Sequence, residues 1–240
     1  MTFGQLRAAA VSLTAWISGL CIFVPAGLIF LMLSFFIHPK HFDRWIKAAC
    51  RLIVRCLFIR VQVHGAQAVR RERTYLFMAN HVNLFDVFVL YGHIPNAFRG
   101  VELDEHFDWF FYGRIIRRLG MIPISQTNAR SALKSLRLAQ EALCGGTSIL
   151  ILPEGGRTLD GAFQPFKRGA FLLAKSACVD IVPVVMSGAY AINRKGSLRI
   201  RPGTMTLRFG DPISSASIAN VNSAQLEAHV RQKMLDLFEG

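Results

Sequence analysis

The sequence predicts an α/β fold: a mixed, partly parallel sheet flanked by helices, with an N-terminal helical membrane anchor. Three observations carry this. Short apolar runs of strand length alternate with amphipathic stretches of helical period through most of the chain. From Val11 to Ile37 no charged residue occurs. Two polar clusters, Asn80–Asp86 and Pro153–Thr158, each follow an apolar run directly, as ligand-binding loops do at the carboxyl ends of strands in open α/β sheets. The 240 residues are 52% hydrophobic and 18% charged, with a mean hydropathy of +0.35. Such a chain is too apolar to stay disordered and long enough to bury a core. Its net charge of +13, from 28 basic and 15 acidic residues, points to an anionic partner. That partner is nucleic acid or a membrane surface, and the apolar composition favours the membrane.

The elements follow in order. As a helix, Val11–Ile37 reaches about 40 Å at 1.5 Å per residue, enough to cross a hydrocarbon core of about 30 Å. It is too long for a signal-peptide core and no small-residue cleavage site follows it. It reads as a retained anchor, either a straight span or a re-entrant hairpin bent at Pro25; a buried core helix is the competing reading. Lys40, Arg44, Lys47, Arg51, Arg55 and Arg60 come after it, against a single acid, Asp43. The positive-inside rule then puts the bulk of the chain on the cytoplasmic side. Between these cations Ile46, Ala49, Ile53 and Leu57 recur at helical spacing, which predicts an amphipathic helix with a basic face for anionic lipid. Residues 1–57 are therefore expected to form the anchor segment, and 58–240 the globular domain.

Within that domain, 58–63, 75–79, 148–152, 180–186 and 205–209 have strand patterns. Residues 131–143 predict a helix with Leu133, Leu136 and Leu143 on one face, stopped by Gly145-Gly146. Residues 169–177 form a small-residue helix, and 222–238 a closing amphipathic one. Cys21, Cys50, Cys56, Cys144 and Cys178 make no Cys-x-x-Cys pair and no zinc spacing. They read as buried thiols of a reducing compartment, and no metal site is expected.

The chemistry concentrates in the two polar clusters. A neutral imidazole takes a proton from a hydroxyl at neutral pH, and a carboxylate on its other nitrogen fixes the tautomer and stabilises the imidazolium. His81 and Asp86 would not share a face of one regular helix, so His81 must precede a helix that carries Asp86. No nucleophile elbow, phosphate-binding glycine loop or zinc-protease motif is present. Without an activated Ser or Cys a covalent enzyme intermediate is disfavoured, and a bare histidine base suits direct attack by a substrate hydroxyl.

These residues resemble the 1-acylglycerol-3-phosphate acyltransferase family. Asn80-His81-Val82-Asn83-Leu84-Phe85-Asp86 is similar to its His-x-x-x-x-Asp motif. Pro153-Glu154-Gly155-Gly156-Arg157-Thr158 is similar to its Pro-Glu-Gly-Thr-Arg-Ser motif, Phe166-Lys167-Arg168-Gly169-Ala170 to the segment that follows, and Ile181-Val182-Pro183-Val184 to its last motif. The resemblance implies an O-acyltransferase that moves a fatty acyl group from a thioester, on coenzyme A or acyl carrier protein, to a lysolipid hydroxyl. The default acceptor is 1-acylglycerol 3-phosphate, giving phosphatidate. It implies His81 as general base, Asp86 as its orienting partner, and Glu154, Gly155, Arg157 and Asn80 as substrate-binding residues, with no bound cofactor. Three departures stand out. Ser125-Gln126 replaces the family's Asp-Arg, Gly100-Val101 lacks the usual Lys, and Gly156 replaces Thr. The lost cations leave a second acceptor open: a different lysolipid, such as an amino-acid-containing one. A non-catalytic lipid-binding protein is disfavoured by the intact His81, Asp86 and Glu154. A nucleic-acid binder fits the charge but neither the apolar segment nor the clusters.

Overall fold

The structure, a computed structural model, describes residues 2–239; Met1 and Gly240, the outer ends of the two expected segments, lie outside the described residues. In chain order the elements are α1 (Phe3–Leu33), α2 (Asp43–Cys56), β1 (Ile59–His64), β2 (Tyr75–Ala79), α3 (Asp86–His93), β3 (Phe98–Leu103), α4 (Tyr112–Arg118), β4 (Ile122–Ile124), α5 (Ala129–Cys144), β5 (Ser148–Ile151), α6 (Arg168–Ala177), β6 (Asp180–Ser187), α7 (Ala189–Ile192), β7 (Gly203–Phe209), α8 (Ser215–Ala219) and α9 (Ser223–Glu239).

The strands form one sheet in the order β1-β7-β6-β2-β5-β3-β4. Every neighbouring pair is parallel except β6 with β7. The central strand β2 is buried throughout, which explains its unbroken apolar run. Its side chains alternate: Tyr75, Phe77 and Ala79 join the core on one face, Leu76 and Met78 the core on the other. Helices α2, α3 and α7 cover the first face together with α1. Helices α5, α6, α8 and α9 cover the second. β2 and β5 run parallel with Leu76 beside Ile149 and Met78 beside Ile151, so the two polar clusters leave the sheet side by side.

Helix α1 carries Pro25 within it and is apolar and long enough to cross a membrane. One stripe of it packs along the domain. Ser12 Oγ accepts from the Ile200 N–H at 2.9 Å and Trp16 Nε1 donates to the Leu198 carbonyl at 2.7 Å. Ala15 is fully buried, Gly19 lies against Leu57 and Gly27 against Phe111 and Ile115. Phe23 meets the Phe88 and Phe111 rings edge-on, and Phe30 that of Phe42. Contacts from Ser12 to Phe30 extend over about 27 Å of helix axis. The opposite stripe, with Leu13, Ile17, Leu20, Val24 and Leu28, is exposed. Residues on both sides of position 57 share one apolar cluster.

Three readings of the sequence need correction. The basic face of α2 is not all free for lipid. Lys47 is buried, pairs with Asp43 at 2.7 Å and donates to the Pro95 and Asn96 carbonyls. Arg51 donates to the Gly92 carbonyl at 2.7 Å. Arg51 meets a carbonyl in the last turn of α3, where helix carbonyls lack partners and favour positive charge, and Lys47 meets two in the loop just after it. In α5 the inner stripe is Ser135, Ala139 and Leu143, and Leu133 faces out. Of the cysteines, only Cys50 is buried, whereas Cys21, Cys144 and Cys178 are exposed. Burial pushes the Cys50 thiol up to about 12, so it serves as an inert core group.

Candidate active site

The chain leaves β2 at Ala79 and turns through Asn80–Phe85 before α3 begins at Asp86. This turn brings the His81 ring back onto the Asp86 carboxylate, with Nδ1 to Oδ2 at 2.9 Å. The same oxygen accepts the backbone N–H groups of Val82 at 2.5 Å and Asn83 at 2.9 Å. Asp86 stands at the first position of α3, where the helix dipole favours negative charge. Asp86 is fully buried, while the His81 side chain keeps 25% exposure. With Nδ1–H donated to Asp86, the Nε2 lone pair is the imidazole's remaining basic position, on a ring open to solvent.

The second cluster holds the first in place. Glu154 accepts from the His81 N–H at 2.8 Å through one oxygen and from the Gln164 N–H at 2.8 Å through the other. Burial pushes its carboxyl above the ordinary carboxylate range, and these two N–H bonds pull it back. Thr158 N–H donates to the His81 carbonyl at 3.0 Å. Both main-chain groups of His81 are thus tied to the Glu154–Thr158 segment. Arg157, next to Thr158, is half-buried and makes no ion pair or hydrogen bond among the described residues.

Glycine is required at position 155. Its φ of +68° lies in the left-handed region, and a Cβ there would come 3.3 Å from Lys167 Cγ. The Lys167 stem therefore crosses the loop at this point, while Gln126 Nε2 donates to the Gly155 carbonyl. Gly156 faces open space instead, so nothing in the fold opposes the Thr usual in the motif.

Of the residues read as sites, His81, Asp86 and Glu154 are joined by hydrogen bonds, with Gly155 and Arg157 on the segment tied to His81. Asn80 and Glu154 were expected to meet substrate, yet their polar groups are consumed internally. The Asn80 amide donates to the Met186 carbonyl at 2.9 Å and accepts its N–H at 2.7 Å, joining the end of β2 to β6. Sequence reasoning missed Asn83, Thr158 and Gln164. Asn83 accepts from the Phe85 N–H and donates to the Ala189 carbonyl. Thr158 Oγ1 donates to Asp160 at 2.9 Å and accepts from the Gly161 N–H. Only Asn83 left a signal, as the turn former three residues before a helix-opening Asp. Among the described residues no cluster of His, Cys, Asp and Glu suits a metal ion.

A family model described as Acyltransferase matches residues 60–187, a span that contains both clusters and the strands that carry them. The chain belongs to the acyltransferase family. Among curated relatives it is similar to a 1-acyl-sn-glycerol-3-phosphate acyltransferase of Limnanthes douglasii, with 27% identity over 165 residues, 68% of this chain and 58% of that protein. It is also similar to one of Chlamydomonas reinhardtii, with 30% identity covering 67% and 47%, and to the human alpha enzyme of that name, with 29% covering 75% and 64%. The chain thus spans about half to two thirds of the length of these relatives. The fold matches the crystal structure of the 1-acyl-sn-glycerophosphate acyltransferase of Thermotoga maritima, with a TM-score of 0.85 at 22% identity over 99% of this chain and 98% of that one.

Proposed function

We propose that this member of the acyltransferase family transfers a fatty acyl group from a thioester to the free hydroxyl of 1-acylglycerol 3-phosphate, giving phosphatidate. The observation that carries the reading is the His81–Asp86 pair, with the His81 ring partly open to solvent, tied through the Thr158 N–H to the segment that carries the half-buried, unpartnered Arg157. His81 Nε2 takes the acceptor hydroxyl proton as the oxygen attacks the thioester carbonyl carbon. The tetrahedral intermediate collapses, the C–S bond breaks, and the imidazolium returns the proton to the departing thiolate. Asp86 holds the tautomer and stabilises the imidazolium. Glu154 acts on His81 only through its backbone, as a positioning residue. Arg157 holds the acceptor phosphate through its planar fork. Lys167, whose stem crosses Gly155, supplies the second cation in place of the arginine that Gln126 replaces. The names of the relatives favour this acceptor over an amino-acid-containing lysolipid.

Localisation follows from α1. A helix held to the domain over about 27 Å of its length cannot cross the bilayer while the domain stays in water. Its exposed stripe fits insertion into one leaflet, with the site at the lipid surface where a lysolipid arrives. Of the spanning and re-entrant placements, these contacts support one that enters a single leaflet.

The test is an acyl-transfer assay of the purified protein with 1-acylglycerol 3-phosphate and two other lysolipids, each with an acyl thioester donor. A kcat/KM highest for 1-acylglycerol 3-phosphate supports the reading. A clear preference for another lysolipid rejects the acceptor, and no transfer to any rejects the activity.

A further inference from the structure

The anchor distinguishes the two faces of the sheet. α1, α2 and α3 lie on one, and α5 packs on the other with α6 and α9, away from the lipid-facing stripe of α1. On the outer face of α5, Arg130, Lys134 and Arg137 follow one another at spacings of four and three, a single stripe of about 10 Å. Leu133 and Leu138 stand beside them with 55% and 42% exposure. An open groove of about 760 Å³ runs here, lined by Asn128, Arg130, Ser131, Leu133, Lys134 and Arg137. None of the three cations makes an ion pair among the described residues. Some cations elsewhere find partners, Lys175 on the Ile218 and Val221 carbonyls and Arg231 on the Gln164 carbonyl, whereas others, Lys233 among them, make none among the described residues. Like charges at this spacing repel and weaken a helix, so the stripe costs stability unless an anionic surface meets it. The loop that opens α5 also touches the site, through Gln126 on the Gly155 carbonyl.

We propose that this stripe of α5 docks an acidic carrier protein that presents the acyl thioester to His81; the proposal rests on the acyl-transfer reading above. Lipid is disfavoured as the occupant because α5 lies in the layer opposite the anchor. A nucleotide carrier is disfavoured because the groove is open and bordered by exposed leucines rather than closed around a phosphate. An acidic helix with an apolar residue among its carboxylates complements both the cations and Leu133.

The experiment compares two donors bearing the same acyl chain, one on acyl carrier protein and one on coenzyme A, with 1-acylglycerol 3-phosphate as acceptor and the full chain as enzyme. The variant is Lys134→Glu with Arg137→Glu, and Lys233→Glu on α9 is the control in the same layer. Expected is a fall of about tenfold in kcat/KM for the carrier-protein donor, mostly in KM, as rim charges act on encounter. The coenzyme A donor stays within about twofold, as does Lys233→Glu with either donor. An unchanged carrier-protein reaction overturns the proposal, as does an equal fall with both donors or an equal effect of Lys233→Glu. Loss of binding to phosphatidylglycerol vesicles in the double variant assigns the stripe to lipid instead. If wild type uses the coenzyme A thioester and not the carrier protein, the docking proposal fails and the acyl-transfer reading stands. Use of neither donor removes the acyl-transfer reading and the docking proposal with it.

Discussion

The loop after β2 and the loop after β5 each carry one buried carboxylate, and the two do different work. Asp86 bonds the His81 ring as well as the backbone of its own turn. Glu154 bonds backbone alone, reaching across to His81 and to Gln164. In both loops most polar groups are spent on holding the protein together. Among the described residues, the His81 Nε2 edge, the Arg157 guanidinium and the Lys167 ammonium are left without protein partners. Polar residues in a motif are therefore not all ligands; the ones left without partners are the candidates for chemistry.

Substitutions that separate the two carboxylates test this contrast. Asp86→Asn keeps the shape but removes the charge opposite the imidazolium, so kcat is expected to fall by roughly 10²-fold or more. Arg157→Ala removes a charge-assisted contact worth about 1.5–3 kcal/mol. The kcat/KM for 1-acylglycerol 3-phosphate should fall roughly 10- to 150-fold while the KM for donor stays near normal, and Arg157→Lys should restore only part. Glu154→Gln sets an amide NH2 against one of two buried N–H groups, at a cost of about 1–3 kcal/mol in chemical denaturation. Its activity loss should parallel the displacement of His81, so the pH profile of the residual activity keeps its shape. If Glu154→Gln shifts that profile instead, Glu154 takes part in proton transfer and the contrast fails.

The smallest effect lies away from both loops. Burial, and secondarily the nearby Arg51, hold His93 below its ordinary 6.5, against the pull of its bond to the Val89 carbonyl. The unfolded chain then binds a proton first on acidification, so this contribution is fully present above pH 6.5 and is lost as pH falls towards the folded value. Denaturation midpoints measured between pH 7.5 and pH 5 should fall less in His93→Gln than in wild type. Equal slopes would show that His93 is not a source of the acid sensitivity.

The sequence made the strands of the sheet's centre legible because β2, β5 and β6 are buried on both faces and read as apolar runs. It left β3, β4 and α4 unmarked, and required α3 only as a helix carrying Asp86, without its bounds. β3 carries Arg99 and Glu102, and the edge strand β4 is three residues with a proline. The periodicity of α2 and α5 announced amphipathic helices but not what their polar faces touch. Lys47 and Arg51 turned out to serve α3, and Leu133 faces solvent while Ser135 is inside. In the site, residue spacing required a turn between His81 and Asp86, and the turn is there. The internal duties of Asn80 and Glu154 depend on Met186 and Gln164, which lie far off in sequence or carry no motif, and tertiary structure alone reveals such partners.

The central claim is that His81 is the only base in the transfer, held ready by Asp86 and left open at Nε2. Its most direct test is the turnover of His81→Ala with 1-acylglycerol 3-phosphate, alongside a circular dichroism melt. The account predicts a fall of roughly 10²–10⁴-fold with an almost unchanged melting temperature, because among the described residues the ring bonds only Asp86, which keeps its two backbone N–H bonds, and the backbone bonds of residue 81 survive. A folded His81→Ala protein that turns over near the wild-type rate would contradict it.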